Sequence, residues 1–252
     1  MSTSIKAISF DLWDTLVDDD SDEPKRQALG LRPKPDERRY LLWEALNRHE
    51  AIDPETVNAA FDAADAAFNK AWKGYSITWK VSERLAKALS ELGRTLPGDD
   101  LAKLADDLGR MEVDIPPNLV DGVVEALEEL SGRYKLCIVS DAIVTPGQGL
   151  RRMLDGHGLL KYFQAFAFSD EVGRSKPHAD IFNTVADELG VELYQMVHIG
   201  DRDHNDIKGP HALGMKAVLF TATRDGDRDE TTADAICERY ADLPGIIEGL
   251  DG

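Results

Sequence analysis

The chain has 252 residues, enough for one large domain or for a core domain that carries a smaller inserted one. It is 42% hydrophobic and 30% charged, with 29 Lys and Arg against 47 Asp and Glu and a formal net charge of −18, which excludes a disordered chain and argues against a nucleic-acid partner. That charge repels anions at long range, so a phosphate site would need local positive charge or a metal.

Residues 5–10 form a short β-rich run, the first predicted strand. Asp18-Asp19-Asp20-Ser21-Asp22-Glu23-Pro24 then breaks the pattern with charge and proline and, with Pro33 and Pro35, predicts a solvated linker or hinge. It lacks the alternating ligands and turn glycine of a calcium loop. From Asp36 to about Gly109 the period becomes helical: Leu41, Leu42, Ala45 and Leu46 share one face, as do Leu85, Ala88, Leu89 and Leu92. Between them Phe61, Phe68 and Trp72 form one stripe, read as core, while Ser82-Glu83 and Pro97-Gly98 read as helix entries.

Pro116-Pro117 ends the helical stretch. An amphipathic helix is predicted over 119–130, a buried strand over 134–140, a helix over 149–160 and a strand over 165–169. A helix over 178–189, a strand over 196–200, a helix over 206–213 and a strand over 217–220 follow, and residues 235–237 and 243–250 form a final pair. Strands alternating with helices predict an α/β fold, a Rossmann-like parallel sheet with helices on both faces, plus an all-helical insertion. Residues 1–20 and 116–252 would form the core and 21–115 the helical unit. Cys137 and Cys237 lie in apolar stretches and read as buried small hydrophobes. No apolar run approaches the roughly 20 residues that span a bilayer, so a cytoplasmic protein with no membrane partner is expected.

Ligands of such sheets bind at the carboxyl ends of the strands. Four positions there carry complementary chemistry: Asp11, Ser140, Lys176 and Asp201. A carboxylate can attack phosphorus and form an acyl phosphate. A hydroxyl and an ammonium can hold the transferring oxygens, and further carboxylates can hold Mg²⁺. A lone Asp at a strand end is more often a cap or turn former, but the ordered set argues against that reading. His198, His204 and His211 suggest zinc only superficially, and without a Cys partner read as solvated or capping residues.

Four segments in order resemble the motifs of the haloacid dehalogenase-like (HAD) hydrolase superfamily, in the form with an all-helical cap between the first two. They are Phe10-Asp11-Leu12-Trp13-Asp14-Thr15-Leu16, Ile138-Val139-Ser140-Asp141, Glu171-Val172-Gly173-Arg174-Ser175-Lys176-Pro177 and the run from Ile199-Gly200-Asp201 through Asn205-Asp206 to Gly209. The resemblance covers roughly residues 4–21 and 117–252; the cap matches only in position and helical character. It implies that Asp11 is the nucleophile and that Ser140, Asp141 and Lys176 bind the substrate. It further implies that Asp11, Asp201, Asp206 and the main-chain carbonyl of Trp13 hold Mg²⁺. Asn205 would support its loop and Thr15 would be structural.

The pattern breaks at Trp13, where phosphatases of the family typically carry an Asp that protonates the leaving oxygen, help worth about 10²- to 10⁴-fold. Asp14 is a possible acid/base if the loop turns it inward, although the next residue along a strand points to the opposite face. Dehalogenases of the superfamily carry an aromatic residue at the Trp13 position, yet they need no metal and have Asn where this chain has Asp141. Phosphonate hydrolysis would require a cap lysine, and nothing singles out Lys70, Lys73 or Lys80. The expected activity is Mg²⁺-dependent hydrolysis of a small phosphorylated molecule through an aspartyl phosphate. The alternatives are carbon–halogen hydrolysis through an ester at Asp11, or a binding or regulatory protein on the same scaffold.

Overall fold

The computed structural model describes residues 4–251. β1 (Ala7–Phe10) and the short β2 (Val17–Asp18) precede six helices: α1 (Glu23–Ala28), α2 (Lys34–Asn47), α3 (Pro54–Tyr75), α4 (Val81–Glu91), α5 (Gly98–Gly109) and α6 (Met111–Asp114). β3 (Asn118–Leu119) then returns antiparallel to β2. The remainder alternates: α7 (Val123–Ser131), β4 (Lys135–Ser140), α8 (Gly147–Gly156), β5 (Ala165–Phe168), α9 (Ser169–Val172), α10 (Ala179–Leu189) and β6 (Met196–Gly200). After a π-helical turn over Asp203–Lys208 come α11 (Gly209–Ala212), β7 (Lys216–Phe220), β8 (Ala235–Cys237) and α12 (Leu243–Leu250).

The large sheet is parallel, in the order β5-β4-β1-β6-β7-β8. Its strands are almost continuously apolar because both faces are covered. Ile8, Phe10 and Ile138 pack with Leu127, Leu154 and Ile247 from α7, α8 and α12. The alternate positions Ala7, Cys137 and Val139 pack with Ile181, Phe182 and Val185 of α10. The chain adds β4 and β5 on one side of β1 and then crosses to add β6, β7 and β8 on the other. The carboxyl ends of β1, β4 and β6 therefore lie side by side at the reversal of strand order, where such sheets bind ligands. Helices α2 to α5 close round a separate core that includes Leu42, Leu46, Phe61, Leu85 and Leu108.

Four elements differ from the sequence reading, among them the helix expected over 149–160, which is α8 and ends at Gly156. The helix expected over 119–130 starts at Val123, because Leu119 pairs with Val17 and Gly122 adopts φ +81°. The helix expected over 206–213 is divided into the π-helical turn and α11, whose first turn contains Pro210. The acidic segment is the largest departure: Asp18 and Asp20 are exposed as expected, but the segment is tied down at its end. Asp22 is fully buried, and Lys34 Nζ lies 2.7 Å from Asp22, 3.2 Å from Asp20 and 3.3 Å from Glu112. Glu112 also accepts the Thr145 hydroxyl at 2.5 Å. Buried charge persists only when paired, and here the pairing clasps the two ends of the helical insertion to the loop after β4.

Candidate active site

β1 and β6 run in register, with Phe10 opposite Ile199, so Asp11 and Asp201 leave the sheet as neighbours. The Asp11 amide donates to the Ile199 carbonyl at 2.8 Å. Two glycines let the following loops close. A Cβ on Gly200 would stand 2.4 Å from Asp206 Cγ, so only glycine allows the π-helical turn to fold Asp206 against the strand end. A Cβ on Gly209 would stand 2.6 Å from Pro177 Cβ, so the same turn seats directly on the Lys176-Pro177 loop. The outcome is a buried bridge, with Lys176 Nζ 2.7 Å from Asp11 Oδ1 and 2.6 Å from Asp206 Oδ1.

Electrostatics separates the carboxylates. Burial opposes ionisation of Asp206, but the Lys176 ammonium and His198 outweigh it and hold its pKa below the usual range. Burial works against the Lys176 charge too, and Asp11, Asp206 and Asp141 reverse that and raise its pKa. Asp201 is pushed up to about 8 by burial and by the charges of Asp11 and Asp206. Neither Asp201 carboxylate oxygen has a hydrogen-bond partner; Arg202 and Arg224 approach only to 3.6 and 3.7 Å. Asp11, Asp201 and Asp206 each offer an oxygen, all within 4.8 Å of one another, which is a set of hard donors sized for a cation.

Ser140 ends β4, its hydroxyl buried and without a partner. Asp141 accepts the Lys176 amide at 3.0 Å on one oxygen and the Trp72 indole N–H at 3.2 Å on the other. Its main-chain carbonyl accepts the Trp13 indole N–H at 3.2 Å. Burial, reinforced by Asp11, raises Asp141 to about 6 against the pull of Lys176. Asp11, Trp13, Asp141, Lys176, Asn205 and Asp206 all line a cavity of about 680 Å³.

Of the expected site residues, Ser140, Asp201 and Asp14 are not among those lining that cavity: Ser140 and Asp201 sit buried at the strand ends beneath it, whereas Asp14 turns away. With φ +55° it turns its carboxylate to the Asp19 amide at 3.2 Å, and it is not among the residues lining that cavity. Lys70, Lys73 and Lys80 do not line it either. Thr15 is buried and its carbonyl accepts the Tyr240 hydroxyl at 2.8 Å.

Sequence reasoning misassigned His198, read as solvated or capping, and Trp72, read as core. His198 is fully buried, its Nε2 3.1 Å from Asp206 and its Nδ1 2.8 Å from the Ser9 hydroxyl. Burial lowers its pKa, and because an ionised carboxylate only accepts, Nε2 is the nitrogen that donates to Asp206 and orients it. The signal was a histidine inside an otherwise apolar buried strand, a place such a residue occupies only with partners. Trp72 ends the stripe read as core; it stacks on buried Phe68 yet reaches the cavity wall.

Residues 5–214 match the sequence model of the haloacid dehalogenase-like hydrolase family. The chain belongs to the haloacid dehalogenase-like hydrolase family. This hydrolase is 31% identical over 150 residues to the ribulose-1,5-bisphosphate 5-phosphatase of Halopiger xanaduensis, covering 60% of this chain and 61% of that one. It is 27% identical over 233 residues to the 5-amino-6-(5-phospho-D-ribitylamino)uracil phosphatase YigB of Escherichia coli, covering 90% of this chain and 87% of YigB. The match spans 61% or less of the length of the first curated relatives. The crystal structure of a HAD phosphatase from Thermococcus onnurineus superposes with a TM-score of 0.62 at 24% identity, covering 97% and 99% of the two chains, a likeness of fold. No helix among the described residues is long and apolar enough to cross a membrane.

Proposed function

We propose that this hydrolase is a Mg²⁺-dependent phosphatase of small phosphorylated molecules that works through an aspartyl phosphate at Asp11. The observation that carries the reading is the buried constellation of Asp11, Asp201 and Asp206 bridged by Lys176, in which the Asp201 oxygens have no hydrogen-bond partner. Three carboxylates facing one ammonium leave excess negative charge, and an oxygen-seeking divalent cation fits that deficit. Asp11, Asp201, Asp206 and the Trp13 carbonyl would hold it. Bound there, Mg²⁺ supplies positive charge to the oxygens of the phosphoryl group. Relatives named as phosphatases support the reaction class.

In this reading Lys176 holds the Asp11 carboxylate ionised and oriented. An Asp11 oxygen forms the bond to phosphorus as the ester bond breaks, and the alcohol leaves with a proton from solvent. Water then attacks the acyl phosphate, releasing phosphate and restoring the carboxylate. The Ser140 hydroxyl has no partner and is free to donate to a phosphoryl oxygen. His198 fixes Asp206 from behind. The α1 to α6 insertion, residues 21–115, acts as the cap that covers the cavity and excludes water, and residues 1–20 and 116–252 act as the core.

The decisive experiment is the initial rate of aryl phosphate hydrolysis with Mg²⁺ and with EDTA, using Asp11→Asn as the blank. An aryl oxide leaves without a proton, so Trp13 does not penalise that substrate. Metal-dependent turnover should fall on the order of 10⁴-fold or more in Asp11→Asn. Residual activity near wild type rejects the mechanism, and halide release from a haloacid without metal would select the dehalogenase alternative.

A further inference from the structure

Arg38 stands in α2 and lines the cavity that contains Asp11. Its side chain is only 17% exposed, yet Nε is buried without a partner and the nearest carboxylate, Glu112, lies at 3.7 Å, beyond hydrogen-bond reach. Glu112 is already engaged by Lys34 and by the Thr145 hydroxyl. The neighbouring cap cations are satisfied: Lys34 pairs with Asp22, and Arg84 holds Asp65 at 2.5 Å and the Ile143 carbonyl at 2.8 Å. Glu23 on the same wall accepts the Lys34 amide. Of these three cap cations, Arg38 alone faces the cavity with its fork unfilled.

A buried guanidinium with unmet donors is unfavourable, and such strain is retained where a ligand relieves it. The planar fork of arginine matches a carboxylate or a phosphate in bidentate fashion. We infer that Arg38 is the specificity residue for a second oxyanion, a carboxylate or a further phosphate, on the substrate whose transferring phosphoryl group faces Asp11. This deepens, and rests on, the phosphatase reading. The substrate class is a small phosphate ester carrying another anionic group. The overall charge of −18 makes such a local counter-charge necessary for a doubly anionic molecule.

The test uses the full chain with Mg²⁺ and two matched pairs: phosphoglycerate against glycerol phosphate, and a pentose bisphosphate against the pentose monophosphate. Wild type should prefer the more anionic member of at least one pair. Arg38→Met should cut kcat/KM for that member about 10- to 100-fold more than for its partner, with Arg38→Lys recovering part of the loss. The pair that responds tells carboxylate from phosphate. Thermal unfolding gives a readout that a structural role would not: without ligand, Arg38→Met should melt at or above wild type, because a buried charge with no hydrogen-bond partner and only a 3.7 Å contact to Glu112 has been replaced by an apolar chain. The upward shift that phosphoglycerate or the bisphosphate gives wild type should be lost in Arg38→Met. Equal losses on both members, a lower melting temperature for unliganded Arg38→Met, or no shift by either anion in wild type overturns the inference. If no phosphate ester turns over, the phosphatase reading fails, and the melting shifts still decide the role of Arg38.

Discussion

Two lysines lie buried among carboxylates in this hydrolase, and they are satisfied to different degrees. Lys34 faces Asp22, Asp20 and Glu112, and Glu112 is held in turn by Thr145. Lys176 faces Asp11 and Asp206, while Asp201 beside them has two unpartnered oxygens and a pKa pushed up to about 8 by burial and its acidic neighbours. Both clusters set three carboxylates against one ammonium, and Asp22 Oδ2 lacks a hydrogen-bond partner in the first, but there each carboxylate lies within 3.3 Å of Lys34 and the cluster works as a clasp. In the second, Asp201 makes no ion pair with Lys176 and neither of its oxygens has a hydrogen-bond partner, which is where the proposed cation would fit. A carboxylate left wholly unpartnered, rather than burial of charge as such, separates the proposed site from the fastening.

Removing each ammonium should break the comparison in opposite ways. Lys34→Met strands Asp22 and Glu112 in the interior, and losing one partner of a buried pair typically costs about 3–5 kcal/mol. A shifted urea midpoint at constant slope would show it; a wild-type midpoint would mean that the clasp adds nothing. Lys176→Met is read in kinetics instead. It takes from Asp11 the charge that orients it and from the transferring group a donor, and kcat should fall about 10²- to 10³-fold. A change confined to KM would assign Lys176 to ground-state binding only.

Asp201 sharpens the same contrast at a smaller magnitude. At a concentration a hundredfold above its dissociation constant, Mg²⁺ should stabilise wild type by about 2.7 kcal/mol. Asp201→Asn should lose most of that shift while melting no lower than wild type in EDTA, since it removes one of three crowded carboxylates. An undiminished Mg²⁺ shift in the variant would place the cation elsewhere.

What was legible in the sequence follows the same division. The sheet and the order of its elements were readable, because apolar runs ending in acids mark strand tips whatever the tertiary detail; the meeting of Asp11, Lys176 and Asp206 was implied by the resemblance of the ordered motifs. The strand over residues 196–200 was placed to the residue. Asp22, Lys34 and Glu112 were not readable: an acidic run beside prolines looks solvated, and only the third dimension brings Glu112, 78 residues on, to Lys34. The start of α7 was missed because a period-3.6 pattern continues through Leu119, which the antiparallel ladder with Val17 claims instead. Asp14 follows Trp13 in sequence, but its left-handed backbone conformation turns its carboxylate to the Asp19 amide.

Asp19 joins the two clusters, since it lines the cavity of Asp11 and also faces Asp20, Lys34 and Glu112. Burial pushes its pKa up to about 6; Asp20 and Glu112 add to the rise, and Lys34 and the Asp20 amide oppose it. Below pH about 4 the group is neutral folded and unfolded and contributes nothing to the balance. Between about 4 and 6 the folded chain holds a proton that the unfolded chain has released, so stability falls as pH rises; above about 6 the penalty is constant. Asp19→Asn removes the penalty, so its stability relative to wild type should climb across that window and then level off, as urea titrations at each pH would show. A flat difference would mean that Asp19 is ordinarily solvated. In the Lys34→Met background the window should move to higher pH, because the ammonium that favours the Asp19 carboxylate is gone. In Lys176→Met it should stay where it is, which separates the clasp from the site by titration as well as by geometry.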